Sequence, residues 1–271
     1  MKNSRIAADG LVLLGCGKMG SAMLEGWLAR GLPATSVWVQ DPQPSEWLLR
    51  TGVHINADLP AAPAIVLVAV KPQMMAEALP SLRPMGDGET LFVSVAAGTP
   101  IAFFERTLGA RTPVVRAMPN TPAAISQGIT AIIGNARAGA QGLDEAETLL
   151  SAVGAVVRLT EEAQIDAVTG VSGSGPAYVF HMIETMAQAG VEQGLPADMA
   201  LHLARATVAG AGALAMAADE DPAQLRINVT SPNGTTQAAL EVLMDEREGF
   251  PALMRRAVAA AANRSRELSN G

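Results

Sequence analysis

The chain has 271 residues, of which 49% are apolar and only 3% aromatic, and it carries a formal net charge of −7. This length suffices for one large domain or two ordinary ones. The acidic balance argues against a general nucleic-acid-binding protein, which needs a basic surface. No uninterrupted apolar run reaches the roughly 18–20 residues that span a bilayer, and the polar residues 1–9 show no secretion signal. A single cysteine, Cys16, excludes an intramolecular disulfide, so we expect a cytoplasmic protein without a membrane partner.

The first 160 residues alternate between short apolar runs and helical patterns. Continuous apolar runs are typical of parallel strands covered on both faces, and they predict strands at residues 10–14, 37–40, 64–70, 91–95 and 114–117. The first strand is followed by a predicted helix over residues 18–30. Strands that alternate with helices predict a parallel sheet connected by right-handed crossovers. We therefore predict an α/β domain over residues 1–160.

From Glu161 onward the sequence shows alanine-rich helical patterns and no convincing strand. These patterns predict helices over residues 176–193, 197–217, 236–244 and 250–268. The second helix is apolar on all sides, and such a helix must be buried. A domain over residues 161–271 has too little interior to bury several such helices by itself. We therefore predict an all-α dimerisation domain, with a second copy of the chain covering its apolar surface.

A G-x-G-x-x-G pattern lies directly between the first predicted strand and the first helix. In such a unit the first glycine permits a tight turn, the second lets a pyrophosphate approach the backbone, and the third allows close helix–strand packing. The pattern predicts a Rossmann-type domain that binds NADPH or NADH, against the alternative of a purely structural turn. The residues of this glycine loop, of which Cys16 and Met19 are expected to serve packing, are Gly15, Cys16, Gly17, Lys18, Met19 and Gly20.

Asp41 lies at the end of the second predicted strand, about twenty residues after the glycine loop. A carboxylate at that place bonds the adenosine ribose and favours NADH, because it repels the 2′-phosphate of NADPH. Alternatively, Asp41 merely starts a turn with Pro42. The choice between the two cofactors stays open from the sequence.

Two further segments follow predicted strands, where ligands bind in open α/β sheets. Lys71 is placed to meet negative charge on a cofactor or substrate, unless it is an ordinary solvated lysine. The two segments consist of Val70, Lys71 and Pro72 and of Ala96, Ala97 and Gly98.

Three blocks of sequence are much more distinctive than the glycine loop. They are R-A-M-P-N-T-P at residues 116–122, D-A-V-T-G-V-S-G-S-G-P-A-Y at residues 166–178 and T-S-P-N-G-T-T at residues 230–236. With the glycine loop and V-K-P-Q at residues 70–73, they closely resemble the Δ1-pyrroline-5-carboxylate reductases, which carry out the last step of proline synthesis. The resemblance covers residues 10–268 and implies a Rossmann domain, an interlocked helical dimer and, in many members, a ring of dimers.

The resemblance also implies which residues line the two ligands. It implies a dinucleotide site formed by the glycine loop, Asn56, Val70, Lys71, Ala96, Ala97 and Gly98. It implies a site for a cyclic imino acid formed by Glu162, Asn228, Val229, Ser231, Gly234, Thr235 and Thr236. The family usually has glycine where this chain has Asn233. Asparagine tolerates a left-handed backbone, so we expect the loop to keep its shape.

The implied reaction moves a hydride to the C=N carbon of a five-membered ring. A protonated imine is already electrophilic, so we expect neither a nucleophile nor a metal, only groups that orient the reactants. A helix that starts at Thr235 and Thr236 offers unpaired backbone N–H groups to the substrate carboxylate. The Thr236 hydroxyl is then expected to bond the imine nitrogen, against the alternative of a plain N-cap. Glu162 is the second predicted catalytic residue.

Two other functions stay open from the sequence. A hydroxyacid, arogenate or prephenate dehydrogenase of the same architecture typically has a lysine or histidine acid–base group in its helical half, but no lysine follows Glu161. A non-catalytic NAD(P)-binding assembly protein is disfavoured by the presence of Thr236, Glu162 and the S-G-S-G-P block. The histidines are scattered and have no partners at metal-ligand spacing, so no metal site is predicted; they are His54, His181 and His202.

Overall fold

The computed structural model describes residues 5–270, so the predicted domain limits at residues 1 and 271 and the first four of the polar residues 1–9 lie outside the described part. The chain divides into two compact units. The sheet unit comprises the residues up to Gly173 together with those from Ala261 onward, and the helical unit comprises Ser174–Ala260. The boundary predicted between residues 160 and 161 falls inside the sheet unit.

The sheet unit contains an eight-stranded sheet in the order β3-β2-β1-β4-β5-β6-β7-β8. Neighbouring strands are parallel except β6 and β7, which are antiparallel. The predicted α/β Rossmann-type architecture is confirmed. β1, β4 and β5 are buried along their whole length, which explains their continuous apolar sequences. The strands are β1 Leu11–Leu14, β2 Val37–Gln40, β3 His54–Ile55, β4 Ile65–Val68, β5 Leu91–Ser94, β6 Val114–Met118, β7 Gly128–Gly134 and β8 Gly154–Arg158.

The strand order reverses at β1. From β1 the chain runs outward to β2 and β3, and it then returns to form β4 on the other side of β1. In open α/β sheets such a switch point opens a crevice outside the carboxyl ends of the strands, where ligands bind. The glycine loop, which follows β1, and the segment that follows β4 therefore border the same crevice.

Helices cover both faces of the sheet and create two hydrophobic cores. Leu13 of β1 points into one core together with Trp27, and Leu14 points into the other together with Phe104. The indole N–H of the buried Trp27 donates to the carbonyl oxygen of Leu149 at 2.9 Å, so this large side chain keeps its polar atom paired. The helices are α1 Arg5–Asp9, α2 Lys18–Ala29, α3 Met75–Ala78, α4 Ile101–Leu108, α5 Gly139–Leu150 and α6 Gln164–Val168, followed by a π-helical turn at Thr169–Gly173.

The helical unit lacks a core of large side chains. Among its described residues, the apolar side chains buried in the single chain are those of Ala187, Ala200 and Ala204. In contrast, Met216 is 87% exposed and Val242 is 72% exposed. The single chain therefore leaves extensive apolar surface uncovered, as the prediction of a dimerisation domain requires. The helices are α7 Gly175–Glu192, α8 Ala197–Ala217, α9 Pro222–Asn228, α10 Thr235–Leu243 and the first half of α11 Phe250–Asn270.

The sequence pattern predicts neither β3, β7 and β8 nor α9. β3 has only two residues, too few for a periodic signal. β7 runs antiparallel to β6 after a short 3₁₀ turn at Thr121–Ile125. It is therefore not preceded by a crossover helix of the kind on which the prediction of strands relied. β8 is a largely exposed edge strand without an apolar run. α9 has seven residues, and its start is capped by the carboxylate of Asp221, which accepts the Gln224 N–H at 2.8 Å.

Candidate functional site

The three glycines of the glycine loop have three different surroundings. A Cβ atom at Gly15, whose φ is +88°, would lie 3.0 Å from the carbonyl oxygen of Ala69 in the neighbouring strand connection. A Cβ atom at Gly20 would collide with the carbonyl oxygen of Gly15. A Cβ atom at Gly17 would meet nothing within 4 Å, and no side chain caps the start of α2 at this residue. The loop is thus packed tightly at both ends and open in its middle, as a pyrophosphate site requires.

Asp41 follows β2 and is held by both carboxylate oxygens. One oxygen accepts the backbone N–H of Cys16 at 2.7 Å, and the other accepts that of Gln43 at 2.8 Å. The backbone of Asp41 is bonded to the side-chain amide of Asn56 at 3.0 and 2.8 Å, and Asn56 itself has a left-handed backbone with φ +49°. Asp41 therefore starts a turn, as the alternative prediction has it, and its carboxylate also lies against the glycine loop.

Cys16 and Met19 of the glycine loop pack against the hydrophobic core that contains Trp27. Burial, and secondarily the charge of Asp41, raises the pKa of the Cys16 thiol to about 11. The thiol is therefore protonated at neutral pH and is a poor nucleophile. This agrees with a packing role for Cys16.

The segments that follow β4 and β5 lie at the same edge of the sheet. Beyond β4, the side chain of Lys71 is exposed, and it immediately precedes the 3₁₀ turn Pro72–Met74. Beyond β5, the chain forms a short connection to α4. The three residues of this connection that we call the 96–98 loop are Ala96, Ala97 and Gly98. Gly98 has a φ of +73°, and a Cβ atom there would lie 3.1 Å from the Cβ atom of Leu268 in α11. The sheet unit thus brings the predicted dinucleotide residues to one edge.

Glu162 is bonded within the sheet unit. Its Oε1 atom accepts one hydrogen bond from the guanidinium of Arg116 at 2.8 Å and a second from the backbone N–H of Ile101 at 2.9 Å. Arg116 belongs to β6 and is only 4% exposed. Its Nη2 atom is buried and has no hydrogen-bond partner among the described residues. Glu162 therefore forms an ion pair with a buried cation and also caps the start of α4.

The other predicted imino-acid residues lie around the connection from α9 to α10 in the helical unit. α10 begins at Thr235, and Gly234 is its N-cap; among residues 5–270 no side chain is seen to bond the free amides of its first turn. Thr236 is therefore the second residue of the helix, and the plain N-cap alternative for its hydroxyl does not apply. The residues brought together in this segment are Asn228, Val229, Ser231, Gly234, Thr235 and Thr236.

Asn233 adopts the left-handed conformation expected for the position, with a φ of +58°. Its backbone N–H donates to the side chain of Gln237 at 2.8 Å, and the N–H of Gly234 donates to the carbonyl oxygen of Ser231 at 3.0 Å. These two bonds close the turn that leads into α10. Asn233 therefore supplies the left-handed residue of this turn, as expected from the tolerance of asparagine for that conformation.

Two of the three histidines, His54 and His181, have local partners. The ring of His54 stacks on Trp38 with a centroid distance of 4.6 Å, and His181 pairs with Glu184 one turn away on the surface of α7. No group of three or more histidine, cysteine, aspartate or glutamate side chains that could hold a metal occurs within residues 5–270.

Comparison with known proteins decides the family. The sequence is 42% identical over 265 residues to the pyrroline-5-carboxylate reductase of Pseudomonas aeruginosa, and the match covers 96% of each chain. The chain belongs to the pyrroline-5-carboxylate reductase family. The relationship suggested by the sequence blocks is thereby confirmed, and two family descriptions match separate parts of the chain. Residues 162–268 match pyrroline-5-carboxylate reductase dimerisation, and residues 11–98 match NADP oxidoreductase, coenzyme F420-dependent.

Solved structures of reductases from this family have the same fold. The pyrroline-5-carboxylate reductase of Coxiella burnetii is 32% identical with a TM-score of 0.89, and the match covers 96% of this chain and 98% of that one. The Plasmodium falciparum enzyme, solved with NADP bound, is 26% identical with a TM-score of 0.85, and the match covers 99% of each chain.

The family assignment explains the apolar surface of the helical unit. Within the described residues, α8 is the one helix long and apolar enough to cross a membrane, by length and composition alone. It lies within the residues that match the reductase dimerisation domain. The chain therefore carries a dimerisation domain, and its exposed apolar helices belong to that domain.

Arg116 contacts the predicted site residue Glu162 but was not itself predicted as a site residue. A signal for it exists, because an arginine interrupts an otherwise apolar strand between Val115 and Ala117. A charge in a buried strand needs a partner, since an unpaired buried cation is costly. The sequence could not name that partner, because Glu162 lies 46 residues further along the chain.

Proposed function

We propose that this reductase transfers a hydride from NADPH or NADH to the C=N bond of 1-pyrroline-5-carboxylate and releases L-proline. The observation that carries the proposal is the start of α10, where the N-cap Gly234 has no side chain to bond the free backbone amides and Thr236 is the second residue of the helix. Backbone N–H groups and a hydroxyl at one helix start match an imino acid, which has a carboxylate and a ring nitrogen. A hydroxyacid substrate would need a lysine or histidine as the acid–base group for its hydroxyl; the helical half has no lysine, and its two histidines, His181 and His202, are exposed on α7 and α8.

The carboxyl edge of the sheet suits a dinucleotide. The open space at Gly17 and the uncapped amides of α2 leave room and donors for the pyrophosphate. Asp41 and Asn56 would hold the adenosine ribose, while Lys71 would meet negative charge. Alongside Val70 and Pro72, the 96–98 loop would line the remaining length. When bound, the reduced cofactor supplies the hydride.

The segment from Asn228 to Thr236, which we call the substrate segment, would hold the imino acid in two ways. The backbone N–H groups at the start of α10, together with the helix dipole, would receive the carboxylate of the imino acid. The Thr236 hydroxyl would bond the ring nitrogen and steady its proton while the adjacent carbon becomes tetrahedral. Holding both reactants in a near-attack geometry lowers the barrier without a covalent intermediate. The flanking contacts would come from Asn228, Val229, Ser231, Gly234 and Thr235.

We further infer a homodimer through the helical domain, with a ring of dimers as the larger assembly. The uncovered apolar side chains of the helical unit support the dimer. We place the enzyme in the cytoplasm, where a lone free thiol such as that of Cys16 is unexceptional. The acidic net charge of −7 supports a protein that binds neither nucleic acid nor anionic membranes.

The direct test is oxidation of NADPH or NADH with 1-pyrroline-5-carboxylate, followed by absorbance of the reduced nicotinamide and by identification of proline. We expect turnover with saturation in both substrates. Cofactor binding without turnover would instead favour a non-catalytic binding protein, and turnover with 2-oxo acids alone would favour a hydroxyacid dehydrogenase.

The Asp41→Ser variant is expected to shift the cofactor preference toward NADPH. The substitution removes the negative charge beside the predicted ribose site and so reduces repulsion of the 2′-phosphate. We expect the ratio of kcat/KM for NADPH to that for NADH to rise about tenfold. Equal ratios in the variant and the parent enzyme would remove Asp41 from cofactor selection.

The Asn233→Gly variant tests whether the asparagine side chain affects protein stability or the KM for the imino acid. Because Asn233 already adopts φ +58°, glycine should be accommodated without rearrangement and should relieve a cost of about 1 kcal/mol in that region. We expect a small rise in the unfolding temperature, or none if the flexible unfolded chain offsets it, and a KM for the imino acid within about threefold of the parent value. A larger change in KM would show that the Asn233 side chain contacts the substrate.

A further inference from the structure

The Arg116–Glu162 pair joins three segments at a single atom. Glu162 Oε1 accepts from Arg116 of β6 at 2.8 Å and from the Ile101 N–H at the start of α4 at 2.9 Å. The carboxylate side chain is 33% exposed, whereas the arginine side chain is 5% exposed. A strand, a helix start and the chain that follows β8 are therefore held in one fixed arrangement.

This pair is poorly suited to a purely stabilising role. Burying a guanidinium costs free energy that one carboxylate repays only when the remaining donors are also satisfied. The Nη2 atom of Arg116 is buried without a partner among the described residues, so part of that cost is not offset. The pair does fix the relative positions of the segments that it joins, because charge-assisted hydrogen bonds are short and directional.

The geometry that it fixes is that of the 96–98 loop. This loop lies within the connection between Ser94, the last residue of β5, and Ile101, the first residue of α4. Ser94 is paired in register with Arg116, and Ile101 is bonded to Glu162. One end of the connection that contains the loop therefore lies beside Arg116 in the sheet, and the other end is hydrogen-bonded to Glu162.

We propose that Arg116 and Glu162 are positioning residues that hold the 96–98 loop in the conformation that receives the dinucleotide. The inference rests on the proposed function, since it takes this loop as part of the cofactor site. It changes the role predicted for Glu162, which then acts on the cofactor through Ile101 and the loop and not on the imino acid.

The test is the Glu162→Gln variant, which keeps an acceptor for the Ile101 N–H and removes the charge that pairs with Arg116. Cofactor affinity is measured without substrate, by the fluorescence of bound NADPH, and kcat and the KM for the imino acid are measured over a range of pH. We expect Kd for NADPH to rise about tenfold, with kcat at saturating cofactor within about threefold and an unchanged pH profile. The Glu147→Gln variant, which disrupts the exposed pair with Arg158, is the matched control and should leave Kd unchanged.

A fall in kcat with a shifted pH profile and an unaltered Kd would overturn the proposal and make Glu162 an acid–base group. An equal rise of Kd in Glu147→Gln would also overturn it, because the effect would then be general. The Arg116→Lys variant keeps the charge but loses the planar fork, and combining it with Glu162→Gln should add little to the loss of affinity, since both act through one contact. Additive losses would contradict this. Binding is measured without turnover, so a parent protein that binds NADPH but does not reduce the imino acid would refute the proposed function and leave this test intact.

Discussion

The Gly17→Ala variant is expected to fold like the parent protein and to bind NADPH about tenfold to a hundredfold more weakly. A methyl group at Gly17 meets no protein atom within 4 Å, and the φ of −70° at this residue suits any amino acid. The methyl group would instead occupy the space that the pyrophosphate needs, and the overlap costs about 1–3 kcal/mol. The measurements are the unfolding temperature and the Kd for NADPH.

The Gly20→Ala variant is the matched comparison, because the same methyl group is added three residues along the loop. There it would collide with the carbonyl oxygen of Gly15, so we expect a loss of about 1–3 kcal/mol in the free energy of unfolding. The two variants should therefore separate binding from folding. If Gly17→Ala were destabilised as strongly as Gly20→Ala while retaining affinity, the loop would be a structural turn only.

The Thr236→Val variant is expected to lose about a hundredfold to a thousandfold in kcat, with little change in the Kd for NADPH. Valine keeps the shape of the side chain and removes the hydroxyl, and the hydroxyl is not needed as an N-cap because Gly234 holds that position. Stability should therefore change little. Pre-steady-state hydride transfer at saturating cofactor gives the most direct readout.

The Thr236→Ser variant serves as the control, since it retains the hydroxyl and loses only a methyl group. We expect it to keep most of the activity of the parent enzyme. Comparable losses in serine and valine variants would point to packing of the threonine methyl group and would contradict the bond to the ring nitrogen. Parallel losses of kcat and cofactor affinity in the valine variant would contradict it as well.

The sequence predicted those parts of the fold that depend on local patterns. Strands β1, β4 and β5 are recognisable because both of their faces are buried. α8 has the predicted limits at residues 197 and 217 because it is alanine-rich and flanked by Pro196 and an acidic stretch. β7 and β8 were not predicted, although β7 contains the apolar sequence Ile-Thr-Ala-Ile-Ile at residues 129–133; β7 follows a 3₁₀ turn and not a crossover helix. The five residues of the edge strand β8 are all exposed or half-buried, so β8 lacks the long apolar sequence of a strand buried on both faces.

In the candidate site, too, the features that depend on local sequence were predicted and those that depend on long-range contacts were not. The glycine loop and the start of α10 are continuous segments, so their turn and helix-start signals could be read from consecutive residues. The contacts that set the role of a side chain are longer in range. Asp41 bonds an amide 25 residues away, and Glu162 bonds Ile101 across 61 residues. The ion pair between Glu162 and Arg116 is therefore visible only in the folded chain.

The sheet unit is discontinuous along the chain, since it needs the residues from Ala261 onward. Within it, the buried Ser265 donates to the carboxylate of Asp166 at 2.6 Å, and Leu268 packs beside Gly98. On the ribosome, these residues emerge only after the entire stretch Ser174–Ala260 has been synthesised. The end of α11 can therefore pack beside Gly98 only after the exposed apolar helices of the helical unit have been synthesised.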